Sequence, residues 1–367
     1  MAIERIEAIP FRIPIRAGIG PIQSNIWGMD SALHVLIKVT DSDGVVGYGE
    51  TTPRATIYGD TQTSTVAVVR EWLEPALRNL EPWAFETAWE RMDRVAHNLP
   101  AKAGIDEALH DIVGKKLGVN VRQLLGGLDR DRAPLGMIVP LGPPEEVAEK
   151  CMEAATRGIR CFKIKTGKDP KRDITAFKAV RRALGDDACL SIDVNQGYSV
   201  TDAIRVLHTL YDYDIAWAEE PVKAWDMEGK LKVARSVHVP LLLDESVFTP
   251  QDALREIKNG AAGLISIKTA RSAFFRSRVI SSICEAANVP CVLGSAREST
   301  VGSIVSAYFA ASCRNIMATE IGDHVIFEAS LLTEWPRIED GYMILPSGPG
   351  LGIEIDEEQL ERYRIDR

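Results

Sequence analysis

The sequence predicts an α/β protein built on a modified (β/α)₈ TIM barrel, preceded by an α+β capping domain. Eight apolar, β-branched stretches begin near residues 134, 161, 190, 215, 239, 263, 290 and 315, at intervals of 24–29 residues. Amphipathic segments of helical length, such as PKRDITAFKAVRRALGDD, lie between them, and a parallel barrel requires this alternation. A doubly wound open sheet is the competing fold, but the glycine-rich phosphate turn typical of that fold is not found.

The first 125 residues have a different pattern, which predicts a sheet followed by helices. SALHVLIKVTDSDGVVGYGE predicts a hairpin that turns at Asp43-Gly44. STVAVVREWLEPALRNL and AKAGIDEALHDIVGKKLGVNVRQLLGG repeat apolar residues every three or four positions, and the second helix is expected to close at Gly126-Gly127. We expect the capping domain over residues 1–125, the barrel over 126–339, and a C-terminal segment, 340–367, that returns to the cap.

Composition and charge exclude several classes of protein. The net charge of −9 over 367 residues argues against nucleic acid or an anionic membrane as partner. No run of 18 apolar residues predicts a membrane span, and the N-terminus lacks the apolar run of a signal peptide. The six cysteines are scattered without a CxxC pair, which favours reduced thiols. We expect a cytoplasmic protein.

Charged side chains stand at the end of nearly every predicted barrel strand. Carboxyl ends of barrel strands meet at one mouth, where the active sites of such barrels lie. A single acid after a strand is usually a helix N-cap, and a lysine pair can reach out to solvent. Neither explanation predicts carboxylates on three successive strands flanked by lysines. In strand order from the second to the eighth, these residues are Lys163 and Lys165, Asp193 and Asn195, Glu219 and Glu220, Asp244 and Glu245, Lys268, Glu298, and Glu320 with Asp323.

Three of these carboxylates form a candidate metal site. Asp193, Glu219 and Asp244 are hard oxygen ligands on adjacent strands, a set that favours Mg²⁺, with Mn²⁺ as the alternative. Asn195 lies on the same face as Asp193 and could supply a supporting amide. Strand alternation points Glu245 away from Asp244, so a salt bridge or helix cap is its expected role. A register slip of one residue would exchange Glu219 with Glu220.

Two lysines are placed to exchange protons. Lys165 and Lys268 lie on the second and sixth strands, so they face one another across the mouth. Burial and neighbouring cations are expected to lower a lysine pKa toward neutrality, as a base requires. A substrate carboxylate on the metal could lose an α-proton to one lysine and regain one from the other, through an enediolate that the metal stabilises.

Five motifs in order resemble the muconate-lactonising subgroup of the enolase superfamily. They are K-x-K on strand two, D-x-N on strand three, E-E-P on strand four, D-E-S on strand five and I-K on strand six. AKAGIDEALHDIVGKKLGVNVRQLLGG is similar to the family's signature helix, GYGETTPRATIYGDT to its mobile capping loop, and PSGPGLGIEID to its C-terminal return, so the resemblance covers nearly the whole chain.

The resemblance implies a role for each candidate residue. It makes Asp193, Glu219 and Asp244 the Mg²⁺ ligands and Lys165 and Lys268 the acid/base groups on opposite faces. It makes Lys163 the neighbour that touches the substrate carboxylate and lowers the pKa of Lys165, and it places Glu298 as a carboxylate on strand seven. Residues 17–28 and 51–60 would form a lid, with Trp27, Arg54 and Tyr58 as specificity contacts.

Departures from the family pattern bear on the substrate. Arg271 lies in a segment where the family often has a Gly-Gly pair, and Arg297 precedes Glu298 where an apolar residue is common. Dipeptide epimerases of the subgroup carry D-x-D on strand eight, whereas this chain has Glu320-Ile321-Gly322, and TEIG is more similar to cycloisomerases. Extra arginines suit a substrate with a second anionic group.

The expected function is that of a Mg²⁺-dependent isomerase. It would abstract an α-proton from a small-molecule carboxylate, as a muconate-type cycloisomerase or as a racemase or epimerase of amino-acid derivatives. A lyase (o-succinylbenzoate-synthase-like or an acid-sugar dehydratase) is the alternative, and a non-catalytic binding barrel is a remote one. The resemblance also implies a homo-oligomer.

Overall fold

The N-terminal part of the chain is an α+β unit, as expected. The computed structural model describes residues 2–366. A three-stranded antiparallel sheet has the order β1-β4-β5, and its β4–β5 hairpin turns through Asp43 and Gly44. The elements are β1 (Ile3–Pro14), β2 (Ile22–Gln23), β3 (Gly28–Met29), β4 (Ser31–Asp41), β5 (Val46–Thr51), α1 (Gln62–Val68), a π-helical turn (Val69–Leu73), α2 (Glu74–Leu77), α3 (Phe85–Met92), α4 (Leu99–Leu117) and α5 (Val121–Leu124).

The predicted long helix after residue 100 is two helices, so that expectation was wrong at its C-terminal end. α4 stops at Leu117 because Gly118 adopts the left-handed conformation, with φ of 68°. Glycine takes this conformation without the Cβ clash that other residues suffer, and it commonly terminates helices. A capping box at Asn120 then starts the short helix α5.

Eight parallel strands, β7 to β14, lie side by side in chain order and confirm the predicted barrel. The barrel closes between its first and last strands, where Gly136 N–H donates to Ile321 O at 2.9 Å. A Cβ at Gly136 would lie 1.9 Å from Thr319 O, so only glycine allows this approach. The elements are β6 (Arg132–Pro134), β7 (Gly136–Val139), α6 (Pro144–Thr156), β8 (Cys161–Lys165), α7 (Pro170–Leu184), β9 (Cys189–Asp193), α8 (Val200–Tyr211), β10 (Ile215–Glu219), α9 (Met227–Ser236), β11 (Leu241–Leu243), α10 (Pro250–Asn259), β12 (Leu264–Ile267), α11 (Thr269–Ala286), β13 (Cys291–Leu293), α12 (Thr300–Ser312) and β14 (Ile316–Thr319).

Strand register sets the height of the charged side chains within the barrel. Lys165 pairs with Asp193, and Asp193 pairs with Glu219 on the next strand. Side chains two residues apart on a strand share a face. Trp217, two residues before Glu219, therefore shares its face and packs in an apolar cluster with Leu242 and other buried side chains. This apolar layer underlies the charged ends of the strands.

The C-terminal segment ties the two parts of the chain together. A 3₁₀ turn (Asp323–Ile326) and β15 (Ile338–Glu339) precede this segment, and the segment itself contains β16 (Tyr342–Ile344) and α13 (Glu357–Tyr363). β16 pairs with β6 near the start of the barrel. Farther along, Gly350 O accepts from Val121 N–H at 2.8 Å, and Ile365 N–H donates to Pro10 O at 3.0 Å, so this segment reaches the capping domain. No helix within residues 2–366 has the length and apolar character needed to cross a membrane.

Candidate active site

A pocket at the carboxyl ends of the barrel strands is lined by many of the predicted residues, whereas Asp193, Glu219, Glu298, Glu320 and Asp323 lie outside its lining. It lies between the barrel and loops of the capping domain. Five cationic side chains face it, which is unusual for a buried cavity and marks it as a site for anions. The pocket is lined by Trp27, Arg54, Ile57, Tyr58, Ile138, Lys163, Lys165, Asn195, Asp244, Glu245, Lys268, Ser295, Ala296 and Arg297.

Lys163 lies among three carboxylates. Its Nζ donates to Glu320 Oε2 at 2.7 Å and to Glu219 Oε2 at 2.9 Å, and it lies 3.3 Å from Asp193 Oδ2. Burial alone would lower the pKa of Lys163, but Glu219, Glu320 and Asp193 together raise it well above its usual range. Lys163 is therefore a fixed positive charge, and Glu320 is its counter-ion.

Lys165 is held from two sides at the end of β8. Its Nζ donates to Asp193 Oδ2 at 2.5 Å and to Asn195 Oδ1 at 2.7 Å. The same Nζ lies 5.7 Å from the centre of the Trp27 ring, which comes from the capping domain. Burial would raise the pKa of Asp193, yet Lys165 and Lys163 lower it, so this carboxylate stays ionised.

Lys268 lies across the mouth with its own carboxylate. Its Nζ donates to Asp244 Oδ2 at 2.5 Å, and Arg271 Nη1 donates to the other oxygen, Oδ1, at 2.7 Å. Burial opposes the charge on Lys268, but Asp244 outweighs it and raises the pKa of Lys268. The expected fall of the lysine pKa toward neutrality is therefore wrong for Lys268 in this arrangement, because its ammonium lies directly on the Asp244 carboxylate.

The three predicted metal ligands stand at the ends of neighbouring strands, and their chemistry fits a divalent cation. Asp193, Glu219 and Asp244 are fully or almost fully buried. Glu219 Oε1 has no hydrogen-bond partner among residues 2–366, and burial together with Asp193 raises the pKa of Glu219 well above its usual range. A buried acid with a bare oxygen is stabilised by a cation. Within the same described range no ready-made cage of acidic, histidine or cysteine groups is found, because lysine ammonium groups stand between these carboxylates.

Glu245 lies in the pocket, so its expected role in a salt bridge or helix cap was wrong. Its Oε1 accepts from Asn195 Nδ2 at 2.9 Å, which links Glu245 through Asn195 to Lys165. Burial and the nearby Asp244 raise the pKa of Glu245 to about 8. Glu220, in contrast, accepts from the backbone N–H groups of Asp244 and Ser246, so it supports the backbone after β11 from the side away from the pocket.

The seventh and eighth strands add a second polar cluster around Ser295. Ser295 Oγ donates to Glu298 Oε2 at 2.7 Å and to Asp323 Oδ2 at 2.8 Å, alternative acceptors for its single proton. Asp323 also accepts from Arg297 Nη1 at 2.6 Å. Burial raises the pKa of Glu298 to about 7. Both carboxylate oxygens of Glu298 accept hydrogen bonds, one from Ser295 Oγ and one from the Ala296 N–H. Glu298 thus stabilises the loop that carries Arg297.

The three predicted lid residues all line the pocket. Arg54 Nη2 donates to Ala296 O at 2.9 Å, which bridges the capping domain and the barrel. Tyr58 packs edge-on against Phe248, with ring centres 5.4 Å apart. Trp27 lies over the lysine end of β8, so the cap supplies the roof of the pocket.

Asn25, which no sequence pattern singles out, fastens the lid loop to the barrel. Its Nδ2 donates to Thr166 O at 2.7 Å and to Val194 O at 2.6 Å, just beyond β8 and β9. A Cβ on Gly167 or Gly197 would lie 2.1 or 2.6 Å from this nitrogen. The two glycines after neighbouring strands were the available signal, because such positions often mark a close approach by another segment.

Substitution Asn25→Ala is expected to loosen the lid loop. Two hydrogen bonds contribute roughly 1–3 kcal/mol, so local opening should rise by about 5- to 150-fold. Limited chymotrypsin digestion at Trp27 measures this opening. Gly197→Ala should also loosen the loop, because its Cβ would clash with Asn25 Nδ2 and with the backbone oxygen of Gly167. Unchanged cleavage in both variants would contradict the role of Asn25.

Asp60, at the end of the second lid segment, is expected to make stability depend on pH. Burial raises its pKa from 3.8 to about 6. Between about pH 4 and pH 6 the unfolded chain loses this proton while the folded state keeps it, so stability falls over that range and stays lower above pH 6, where the buried carboxylate is charged. Asp60→Asn should therefore raise the melting temperature at pH 7 but not at pH 3.5. An equal shift at both pH values would contradict this origin.

Two family models and several known proteins are similar to this chain over most of its length. The chain matches the family model "Mandelate racemase / muconate lactonizing enzyme, N-terminal domain" over residues 7–126 and the model "Enolase C-terminal domain-like" over residues 146–359. It is similar to an N-succinyl-L-Arg/Lys racemase of Bacillus cereus, with 29% identity over 368 residues, 100% of this chain and 98% of the relative.

Two solved structures are similar over almost the whole chain. A muconate lactonizing enzyme from Mycobacterium smegmatis, complexed with muconolactone, superposes with a TM-score of 0.96 at 34% identity, covering 100% of both chains. A dipeptide epimerase from Enterococcus faecalis V583, complexed with Mg and the dipeptide L-Leu-L-Tyr, gives a TM-score of 0.91 at 31% identity, covering 96% of this chain and 100% of the other.

A capped barrel with lysines on both sides of an acidic cluster is the architecture of an enzyme that transfers a proton at the carbon next to a carboxylate. The chain belongs to the enolase superfamily, in its muconate-lactonising subgroup. The expected isomerase class is confirmed, since the relatives are cycloisomerases, racemases and epimerases, and the lyase alternative is not favoured.

Proposed function

We propose that Lys165 and Lys268 exchange the α-proton of a substrate carboxylate on opposite faces of the pocket. The observation that carries the proposal is their placement: each Nζ lines the same cavity, and each is held at 2.5 Å by a different carboxylate on a different strand. An acid/base pair needs this arrangement to deliver protons to two faces of one carbon. Lys163, bound to Glu219 and Glu320, is placed to attract the substrate carboxylate.

Asp193, Glu219 and Asp244 are the residues that would hold Mg²⁺, with Mn²⁺ as the alternative ion. When bound, a divalent cation supplies charge stabilisation for the enediolate that forms as the α-proton leaves. The protein's own contribution is to orient the carbon acid under Trp27, to exclude water with the two lid segments, and to carry the proton on a lysine Nζ. Asn195 and Glu245 fix the position of Lys165.

Cycloisomerisation of an unsaturated dicarboxylate is the first candidate reaction, because Arg54 and Arg297 add positive charge to the pocket wall beside Trp27. Addition of one carboxylate oxygen to the alkene would generate the enediolate, and one lysine would protonate its α-carbon. Racemisation of an N-acylated amino acid is the second candidate, because Lys268 is available on the opposite face to return a proton.

Deuterium exchange tests the proposal. The Mg²⁺-loaded protein is incubated in D₂O with lactones of muconate type, N-acylamino acids and dipeptides, and α-deuterium is measured by NMR and mass spectrometry. We expect incorporation with at least one class and none after chelation of the metal. Absence of exchange across the panel, or exchange that persists in chelator, would contradict the proposal.

A further inference from the structure

Arg297 lines the pocket and carries two hydrogen-bond donors without a partner in the described residues. Only 3% of the residue is exposed, and its Nη1 donates to Asp323 Oδ1 at 2.6 Å. Nε and Nη2 have no hydrogen-bond partner among residues 2–366. These two nitrogens form one edge of the guanidinium fork, whose parallel N–H groups match the two oxygens of a carboxylate. Buried donors of this kind are costly to leave without an acceptor, so this edge indicates a ligand.

The backbone and its neighbours hold this guanidinium in place. Arg297 has φ of 63°, in the left-handed region that residues other than glycine rarely occupy. Its N–H donates to Ser295 Oγ at 2.8 Å, and the hydroxyl in turn bonds Asp323. Backbone strain of this kind persists where the surroundings over-determine it, commonly at ligand sites. The side chain is thus pre-oriented before any ligand arrives.

Positive charge accumulates on the same side of the pocket, around the ring of Trp27. The Cζ atoms of Arg297 and Arg54 each lie 5.8 Å from the ring centre, and Lys165 Nζ lies 5.7 Å from it. Arg54 bonds only backbone carbonyl oxygens and the Met29 sulfur in the described residues, and burial lowers its pKa. Lys165 and Arg297 each have one carboxylate partner, Asp193 and Asp323, whereas Arg54 has no ion pair in the described residues. The ring is therefore surrounded by more positive than negative charge, which favours an anion from the substrate.

We propose that Arg297 is a specificity-determining residue that binds a second carboxylate of the substrate, remote from the carbon that is deprotonated. This inference rests on the proposed function, because it places the reacting end of the substrate at Lys165 and Lys268. The substrate is then a dianionic carbon acid. The Nε–Nη2 edge of Arg297 holds its distal carboxylate, and Trp27 covers it.

Binding of two matched probes tests the role of Arg297. Adipate and hexanoate have six carbons each and differ in one terminal carboxylate, and their affinities for the Mg²⁺-loaded protein are measured by calorimetry. We expect wild type to prefer adipate by about 10- to 100-fold. In Arg297→Met, adipate should weaken by that factor while hexanoate changes less than about threefold. Arg297→Lys keeps the charge but cannot donate two parallel hydrogen bonds, so its affinity for adipate should lie between those of wild type and Arg297→Met.

A matched control is Arg157→Met, which removes an exposed arginine paired with Glu153 on α6. It should leave both affinities unchanged. Equal loss of adipate and hexanoate in Arg297→Met, no loss of either, or no preference in wild type would each overturn the proposal. Because binding is measured without turnover, the two proposals fail separately. A dicarboxylate preference without deuterium exchange supports the subsite and counts against the lysine roles, and exchange without a preference does the reverse.

Discussion

Replacing Lys165 by alanine is expected to slow deuterium exchange by about 10²–10⁴-fold for the enantiomer whose α-proton faces Lys165. The reason is chemical, because Lys165 Nζ is held in the pocket by Asp193 and Asn195, at the position from which a proton would be moved. Lys165→Arg keeps the positive charge but is not deprotonated at accessible pH, so it should be as inactive as the alanine variant. The rate of deuterium incorporation measures both.

The same experiment on Lys268 separates the two candidate reactions. A racemase needs a proton donor on each face, so Lys268→Ala should stop racemisation while exchange through Lys165 continues on one enantiomer. A cycloisomerase needs one proton donor, so Lys268→Ala should slow lactone chemistry without removing one-sided exchange.

The Mg²⁺ affinity of Lys165→Ala should stay equal to that of wild type or rise, because Asp193 loses a competing cation. Full exchange by Lys165→Ala would refute the assigned role.

Glu219→Gln is expected to weaken Mg²⁺ binding by at least about 100-fold, since loss of a ligand should exceed the 10–100-fold effect typical of supporting residues. Glutamine keeps the shape of the side chain but removes the charge on the bare Oε1 oxygen. Lys163 retains Glu320 at 2.7 Å, so the fold should persist. Calorimetric titration with Mg²⁺ measures the affinity, and a melting curve checks the fold.

Glu220→Gln provides the matched control, because Glu220 is the next residue, is equally buried, and bonds the backbone of Asp244 and Ser246 instead of the pocket. It should change Mg²⁺ affinity by less than about tenfold. If Glu220→Gln were the variant that lost binding, the ligand assignment on β10 would be shifted by one residue.

Strand spacing was enough to predict the barrel, because each β/α unit must cross the same distance and therefore has a similar length. The row formed by Lys165, Asp193 and Glu219 followed from the same logic, since strand ends of a barrel share one rim. The break at Gly118 was missed because the apolar repeat continues past it, whereas a left-handed glycine ends the helix regardless of that pattern.

Glu245 and Asn25 show where the sequence could not suffice. Alternation predicted that Glu245 faces away from Asp244, but β11 ends at Leu243, and the alternation rule has no force beyond the last paired residue. Asn25 acts through carbonyl oxygens about 140 and 170 residues farther along the chain, and no local pattern encodes such a contact. The unpaired edge of Arg297 likewise becomes visible only when its surroundings are known.

The origin of the pocket in two parts of the chain has an evolutionary consequence. Lysines and acids lie on short barrel strands whose neighbours restrain them, whereas Trp27 and Arg54 come from loops of another domain, and Arg297 follows a strand end. Substitutions in those loops can alter which molecule is accepted without disturbing the groups that move the proton. Lineages sharing this scaffold can therefore diversify their substrates in small steps while each intermediate remains a working catalyst.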